Sequence, residues 1–152
     1  MYFSKYLEKF KDDKIKIFVD MDGVIADYDF GVPKDYDKKR PLYDSIKKLE
    51  IVSKMPNVEM FVISITRMNE GFEQKQEWLD KYAPFFKKEN RIIISREANN
   101  MEKSPILKAK FLKKYKKDDN IIIVIDDDPR NLVEIDKLNE GIILLKDAVL
   151  VD

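Results

Sequence analysis

FVDMDGVIADYD, Phe18 to Asp29, is an apolar run that stops abruptly at two carboxylates and a glycine. The run begins at Ile15, and Ile15–Val19 is short and rich in aliphatic side chains. That is the pattern of a strand buried on both faces, as in a parallel sheet. Asp20 and Asp22 stand two apart as the chain leaves this strand, so their side chains project to the same side. Gly23 permits the tight departure that turns backbone N–H groups toward an anion.

Four further runs of the same kind follow, at Met60–Ile65, Arg91–Ile94, Ile121–Ile125 and Ile142–Leu145. Helical signals separate them. Leu42, Ile46 and Leu49 recur at helical spacing after Pro41, and Asn69 opens a segment with Phe72, Leu79 and Tyr82 that stops near Pro84. Ser104-Pro105 reads as an N-cap followed by proline, opening a Lys-rich helix to about Tyr115, and Asp128-Pro129 repeats the signature. Gly141 marks where that last helix has ended. Strand and helix alternate throughout, which predicts an α/β fold, a doubly wound, Rossmann-like parallel sheet of about five strands. No internal repeat or composition shift marks a second domain, so residues 1–152 are read as one.

Ligands in such sheets bind beyond the carboxyl ends of the strands. Asp20 and Asp22 follow the first strand there, Ser64-Ile65-Thr66-Arg67 ends the second, Lys103 precedes the helix leading into the fourth, and Asp126-Asp127-Asp128 ends the fourth. Several carboxylates at one rim repel one another unless a cation intervenes. With no histidine and no cysteine in 152 residues, imidazole bases, thiol nucleophiles, disulfides and thiolate or imidazole metal sites are excluded. Oxygen donors alone favour a hard ion, and Mg2+ is the expected cofactor. Such an ion would neutralise phosphate oxygens for in-line attack. A carboxylate could then act as nucleophile, Asp22 as acid and base, Ser64 as a hydrogen-bond donor and Lys103 as charge stabiliser.

This arrangement resembles the haloacid dehalogenase superfamily, whose four motifs appear in order: Asp20 to Val24, Ser64, Lys103, and Asp126-Asp127. The resemblance runs from Ile15 to about Leu145. It implies a phosphate monoester hydrolase in which Asp20 is the nucleophile and Asp22 the acid/base. It implies Mg2+ held by Asp20, the backbone carbonyl of Asp22, Asp126 and Asp127, with the phosphoryl group against Met21, Asp22, Ser64, Ile65 and Lys103. Phe18 to Asp29 and the stretch from FVISIT to EWLDKYAP, Phe61 to Pro84, look closest to the bacterial 5′(3′)-deoxyribonucleotidase-like proteins, which implies a small phosphorylated substrate such as a nucleotide. Those relatives carry a helical cap between the first two motifs. Here Ile25 to Pro41 and Ser95 to Glu102 are both too short for one, so an open cleft with a minimal cap or none is expected.

Alternatives stand beside these assignments. Thr66 rivals Ser64, and Lys108 rivals Lys103. Asp128 reads as a helix cap, Asn131 as ordering its loop, and Arg67 as a surface cation. Tyr28, Phe30 and Tyr36 either stack on a base or cover a satellite of core. The lysines at 108, 110, 113, 114, 116 and 117 read as the wet face of a helix. Lys+Arg and Asp+Glu both number 29, which leaves no net field to draw nucleic acid or an anionic membrane. The charged N-terminus lacks the apolar core of a signal peptide and no run is long enough to span a bilayer, so the expected location is cytoplasmic. A phosphatase acting on nucleic-acid ends or on a phosphoprotein, and a phosphate-binding module without turnover, remain as other functions. A receiver domain is set aside because Ser95 stands where its phosphorylated Asp would follow the third strand. The oligomeric state is left open, a homo-oligomer included.

Overall fold

A computed structural model describes residues 2–28, 35–117 and 119–151. The chain enters through a short helix, α1 (Tyr2–Leu7), whose Phe3 and Leu7 are buried. It then alternates β1 (Lys14–Val19), α2 (Tyr43–Ser53), β2 (Val58–Thr66), α3 (Gly71–Tyr82), β3 (Arg91–Ser95), α4 (Ser104–Lys113), β4 (Asn120–Ile125), α5 (Pro129–Leu138) and β5 (Ile143–Leu145). All five strands are parallel, in the order β3-β2-β1-β4-β5. Ile15 of β1 pairs with Val58 on one side and Ile121 on the other.

The side-chain alternation of these strands splits the core in two. Ile15, Ile17 and Val19 face one layer, packing with Phe3, Leu49, Trp78 and Leu79 from α1, α2 and α3. Phe18, Phe61, Ile63 and Val124 face the other, against Leu107, Leu112 and Ile135 of α4 and α5. Phe18 and Phe61 stack with ring centroids 4.6 Å apart. Both faces of the sheet are thus covered by helices, which is why the strands read as unbroken apolar runs. β2 and β3 lie to one side of β1, and β4 and β5 to the other. The winding therefore reverses between β1 and β4, the place where such sheets open a crevice.

Helix starts differ from expectation in two places. Ser104 is the first helical residue of α4, with Lys103 in the capping position and no side-chain cap. The amide of Leu107 bonds the Lys103 carbonyl, which sets the first turn one residue early. Asn69 does not cap α3: its amide donates to Glu97 and its Oδ1 accepts from Ser95, so it ties its loop to β3. Asp128 does cap α5, accepting the amide of Arg130 at 2.9 Å.

Between β1 and α2 the described residues hold no cap helix, only bridges from Ala26 to Asp22 and Pro41 and a single 3-10 turn at Tyr36–Lys38. Phe30 lies outside the described residues. Lys110, Lys113, Lys114, Lys116 and Lys117 are exposed, as a wet helix face requires, whereas Lys108 is buried. No helix among the described residues is long and apolar enough to cross a membrane.

Candidate active site

The ladder of the sheet runs one residue past β1 and β4. The amide of Asp20 bonds the Ile125 carbonyl at 3.0 Å, and the amide of Asp126 bonds the Leu145 carbonyl at 3.1 Å. Both acids are therefore fixed at the rim by backbone, beside the reversal of the winding. Asp20 is 7% exposed and Asp126 fully buried. Asp127 completes the group: carboxylate oxygens of Asp20, Asp126 and Asp127 lie within 4.8 Å of one another. Asp127 comes so close to Gly23 that a Cβ there would stand 1.9 Å from its Oδ2, and Gly23 adopts φ +84°. The glycine is required twice, for its backbone and for its missing side chain.

Lys108 closes this group from beneath. Its Nζ donates to Asp20 Oδ1 and Asp126 Oδ2, both at 2.7 Å, from a side chain that is 3% exposed. The lysine that reaches the carboxylates is thus Lys108. Lys103, the first expectation, sits at the exposed mouth of the cleft. Asp126 is further held by the amide of Asp128 at 2.9 Å and by Asn131 Nδ2 at 3.0 and 3.2 Å. Asn131 thereby orders the loop after β4.

A second cluster surrounds Asp22. Its Oδ1 accepts from the Tyr36 hydroxyl at 2.9 Å and from Lys39 Nζ at 2.5 Å, and Lys75 Nζ lies 3.6 Å from Oδ2. Lys75 is 4% exposed and donates to Ser64 Oγ at 2.6 Å and to the Ile65 carbonyl at 2.8 Å. Ser64 is buried, with its hydroxyl oxygen accepting from Lys75, so its proton is left for another acceptor. Thr66 instead donates to the Met68 carbonyl at 2.6 Å and serves its own loop. The side chain of Met21 is in the core, and its carbonyl gathers the amides of Val24, Ile25 and Ala26. Tyr36 packs edge-on against Trp78, which makes it core cover as well as a partner of Asp22. Tyr28 lines the cleft. Arg67 is exposed.

These surroundings push the two lead acids apart. Burial raises Asp20 from 3.8 to about 8, opposed by Lys108 and reinforced by the charges of Asp126 and Asp22. Burial and Asp126 raise Asp127 as well. Burial also works against Asp22, but Lys75, Lys39 and the hydrogen bonds from Lys39 and Tyr36 outweigh it and hold the carboxyl below its usual value. Lys108 is held charged, its own burial outweighed by Asp20 and Asp126. Burial lowers Lys75. Carboxylates crowded around one ammonium keep a proton for want of a second cation. Three hard oxygen donors with no nitrogen or sulfur among them fit Mg2+.

Sequence reading missed Lys75 and Lys39, and it singled out Tyr36 as a base stacker or core cover but not as the donor to Asp22. Lys75 left a sign: it falls three and four positions before Trp78 and Leu79, on the buried stripe of α3, where an unpaired lysine does not belong. Lys39 left none beyond lying near the first motif.

No protein-family model matches the chain, and a search of curated proteins returns no match. Solved structures do. A chain of the Pnkp1/Rnl/Hen1 RNA repair complex superposes with a TM-score of 0.68 at 16% identity, over 89% of this chain and 42% of that one. A second structure of the Pnkp1/Rnl/Hen1 complex gives 0.68 and 16%, over 88% and 46%. The HAD domain of the effector protein Lem4 from Legionella pneumophila, an inactive mutant, gives 0.53 and 17%, over 88% and 84%. The fold is HAD-like. This chain spans less than half the length of the two repair-complex chains, and at these identities the likeness concerns the fold.

Proposed function

We propose that this chain is a Mg2+-dependent phosphatase that hydrolyses phosphate monoesters through an aspartyl phosphate on Asp20, with a 5′- or 3′-deoxynucleotide as the substrate class. The observation that carries the reading is the junction at the rim: Lys108 bonded to Asp20 and Asp126, with three carboxylates within 4.8 Å of one another. Asp20, Asp126 and Asp127 would hold the ion, with the Asp22 carbonyl contributing. When bound, it neutralises phosphoryl oxygens and lowers the charge that repels an incoming carboxylate.

The chain's own groups supply the rest. A carboxylate oxygen of Asp20 bonds to phosphorus as the bond to the leaving alcohol breaks, and Asp22 gives that alcohol its proton. In the second half Asp22 takes a proton from water, whose oxygen bonds to phosphorus and releases Asp20 and inorganic phosphate. Lys39, Lys75 and Tyr36 keep the free Asp22 ionised, which suits the second half directly; in the first half the proton it passes to the alcohol is one it takes from the monoanionic form of the entering phosphate monoester. The Ser64 hydroxyl donates to a phosphoryl oxygen, and Lys108 keeps Asp20 aligned while offsetting the buried negative charge.

Asp20→Asn is expected to abolish turnover of p-nitrophenyl phosphate and deoxynucleotides with the fold retained; undiminished activity removes Asp20 as nucleophile. Asp22→Asn should lower turnover of alkyl phosphates by about 10²–10⁴-fold, and that of an aryl phosphate less, because its leaving group departs without a proton. A phosphatase acting on nucleic-acid ends is the second reading. The cap-free cleft among the described residues and the likeness to a chain of an RNA repair complex favour it, and 3′-phosphorylated oligonucleotides in the same substrate panel test it.

A further inference from the structure

The cleft above Asp20 and Asp22 has a volume of about 790 Å³, and its mouth is lined by Arg96, Lys103, Tyr28 and Arg130. Their charges are not equally available. Arg130 is spent on Asp128 through a fork at 2.7 and 3.0 Å. Among the described residues Arg96 bonds only carbonyls, Glu102 at 2.8 Å and Met101 at 2.9 Å, and makes no ion pair. Among the described residues Lys103 makes no ion pair. The acids of the same loop are turned elsewhere, Glu102 toward Lys110 at 3.8 Å and the Lys103 amide, and Glu97 toward the Asn69 amide.

The loop that carries these two cations is held in a costly shape. Asn100 and Met101 are consecutive non-glycine residues with φ +55°, a conformation that crowds the Cβ of L-residues. The two Arg96 bonds and the bond from the Met101 amide to the Arg96 carbonyl at 2.8 Å hold it. Strain kept this way collects at sites that use the geometry. Here it fixes Arg96 at the mouth, while the acids and Lys108 lie at the floor.

We propose that Arg96 and Lys103 form a second phosphate subsite, which takes a phosphate carried on the leaving group of the substrate. The inference rests on the phosphatase reading for the placement of the first phosphate. Two sources share this chemistry, a small bisphosphate and the internucleotide phosphate that adjoins the terminal phosphate of a polynucleotide.

Binding is measured by calorimetry on the full chain carrying Asp20→Asn, with Mg2+, using adenosine 3′,5′-bisphosphate and adenosine 3′-monophosphate. The bisphosphate is expected to bind about 3- to 10-fold tighter, and the preference should vanish when Lys103→Met or Arg96→Gln is added. Equal affinities, absent binding, or a preference that survives Lys103→Met overturn the subsite. Lys103 is exposed, so that variant carries the test if the Arg96 loop unfolds. A 3′-phosphorylated tetranucleotide binding tighter than the bisphosphate supports the subsite with a chain end as source, and weaker binding supports it with a small bisphosphate. Wild-type turnover of phosphomonoesters is scored separately: its absence, with the binding preference intact, removes the phosphatase reading and leaves the subsite standing.

Discussion

Replacing Lys108 by methionine removes one charge from the centre of the rim while keeping the length of the stem. Two bonds of 2.7 Å go with it, to Asp20 and to Asp126, all three side chains being nearly or wholly buried. Breaking a buried ion pair by deleting one partner costs about 3–5 kcal/mol, because the remaining charge is left without compensation. Two features of this site hold the loss to the lower part of that range. Asp20 already has a raised pKa and can keep a proton, and Asp126 retains its bonds from the Asp128 amide and Asn131. A loss of about 3 kcal/mol lowers the melting temperature of a domain of this size by about 6–12 °C. Thermal melts of Lys108→Met in chelator should show that drop, and Mg2+ should recover part of it by supplying charge to the same carboxylates. Lys103→Met, at an exposed position, should stay within about 0.5 kcal/mol of the wild type. If Lys108→Met melts within about 2 °C of the wild type, or Lys103→Met falls as far, the electrostatic account of the rim is wrong.

Gly23→Ala should destabilise the chain by at least about 1–2 kcal/mol, from the positive φ alone, and should also weaken Mg2+ binding by displacing Asp127; wild-type Mg2+ affinity in a calorimetric titration would contradict the packing argument. In metal-free protein the folded Asp20 holds a proton that the unfolded chain releases above about pH 4. Its contribution to stability is therefore complete below that pH and is lost as the pH rises toward about 8. The melting-temperature gap between Mg2+ and chelator should widen over this window, and a constant gap counts against a buried, proton-holding Asp20. Asp128→Ala removes the cap of α5 and should cost about 0.5–2 kcal/mol by denaturant unfolding. An unchanged midpoint there would show that the Arg130 amide finds another partner.

The sheet was legible because burial on both faces writes itself into each strand as an apolar run, whatever the neighbours. The Asp128 cap and the Gly23 turn were legible for a related reason: both are settled by residues one to three positions apart. The four acids at the rim followed from their place at strand ends, since parallel strands deliver their carboxyl ends to one edge. Which lysine meets them could not be read. Lys103 stands in the capping position of α4 and Lys108 lies within the helix, and only the docking of α4 against the sheet turns Lys108 inward to Asp20 and leaves Lys103 at the mouth. Lys75, Tyr36 and Lys39 reach Asp22 across separations of 53, 14 and 17 residues, distances over which sequence spacing carries no direction. The amino-acid sequence alone determined where the chain is buried and where it turns, both properties of neighbouring residues. The tertiary structure decided which charges share a dry volume, because that depends on how the helices dock over the sheet and not on any local pattern.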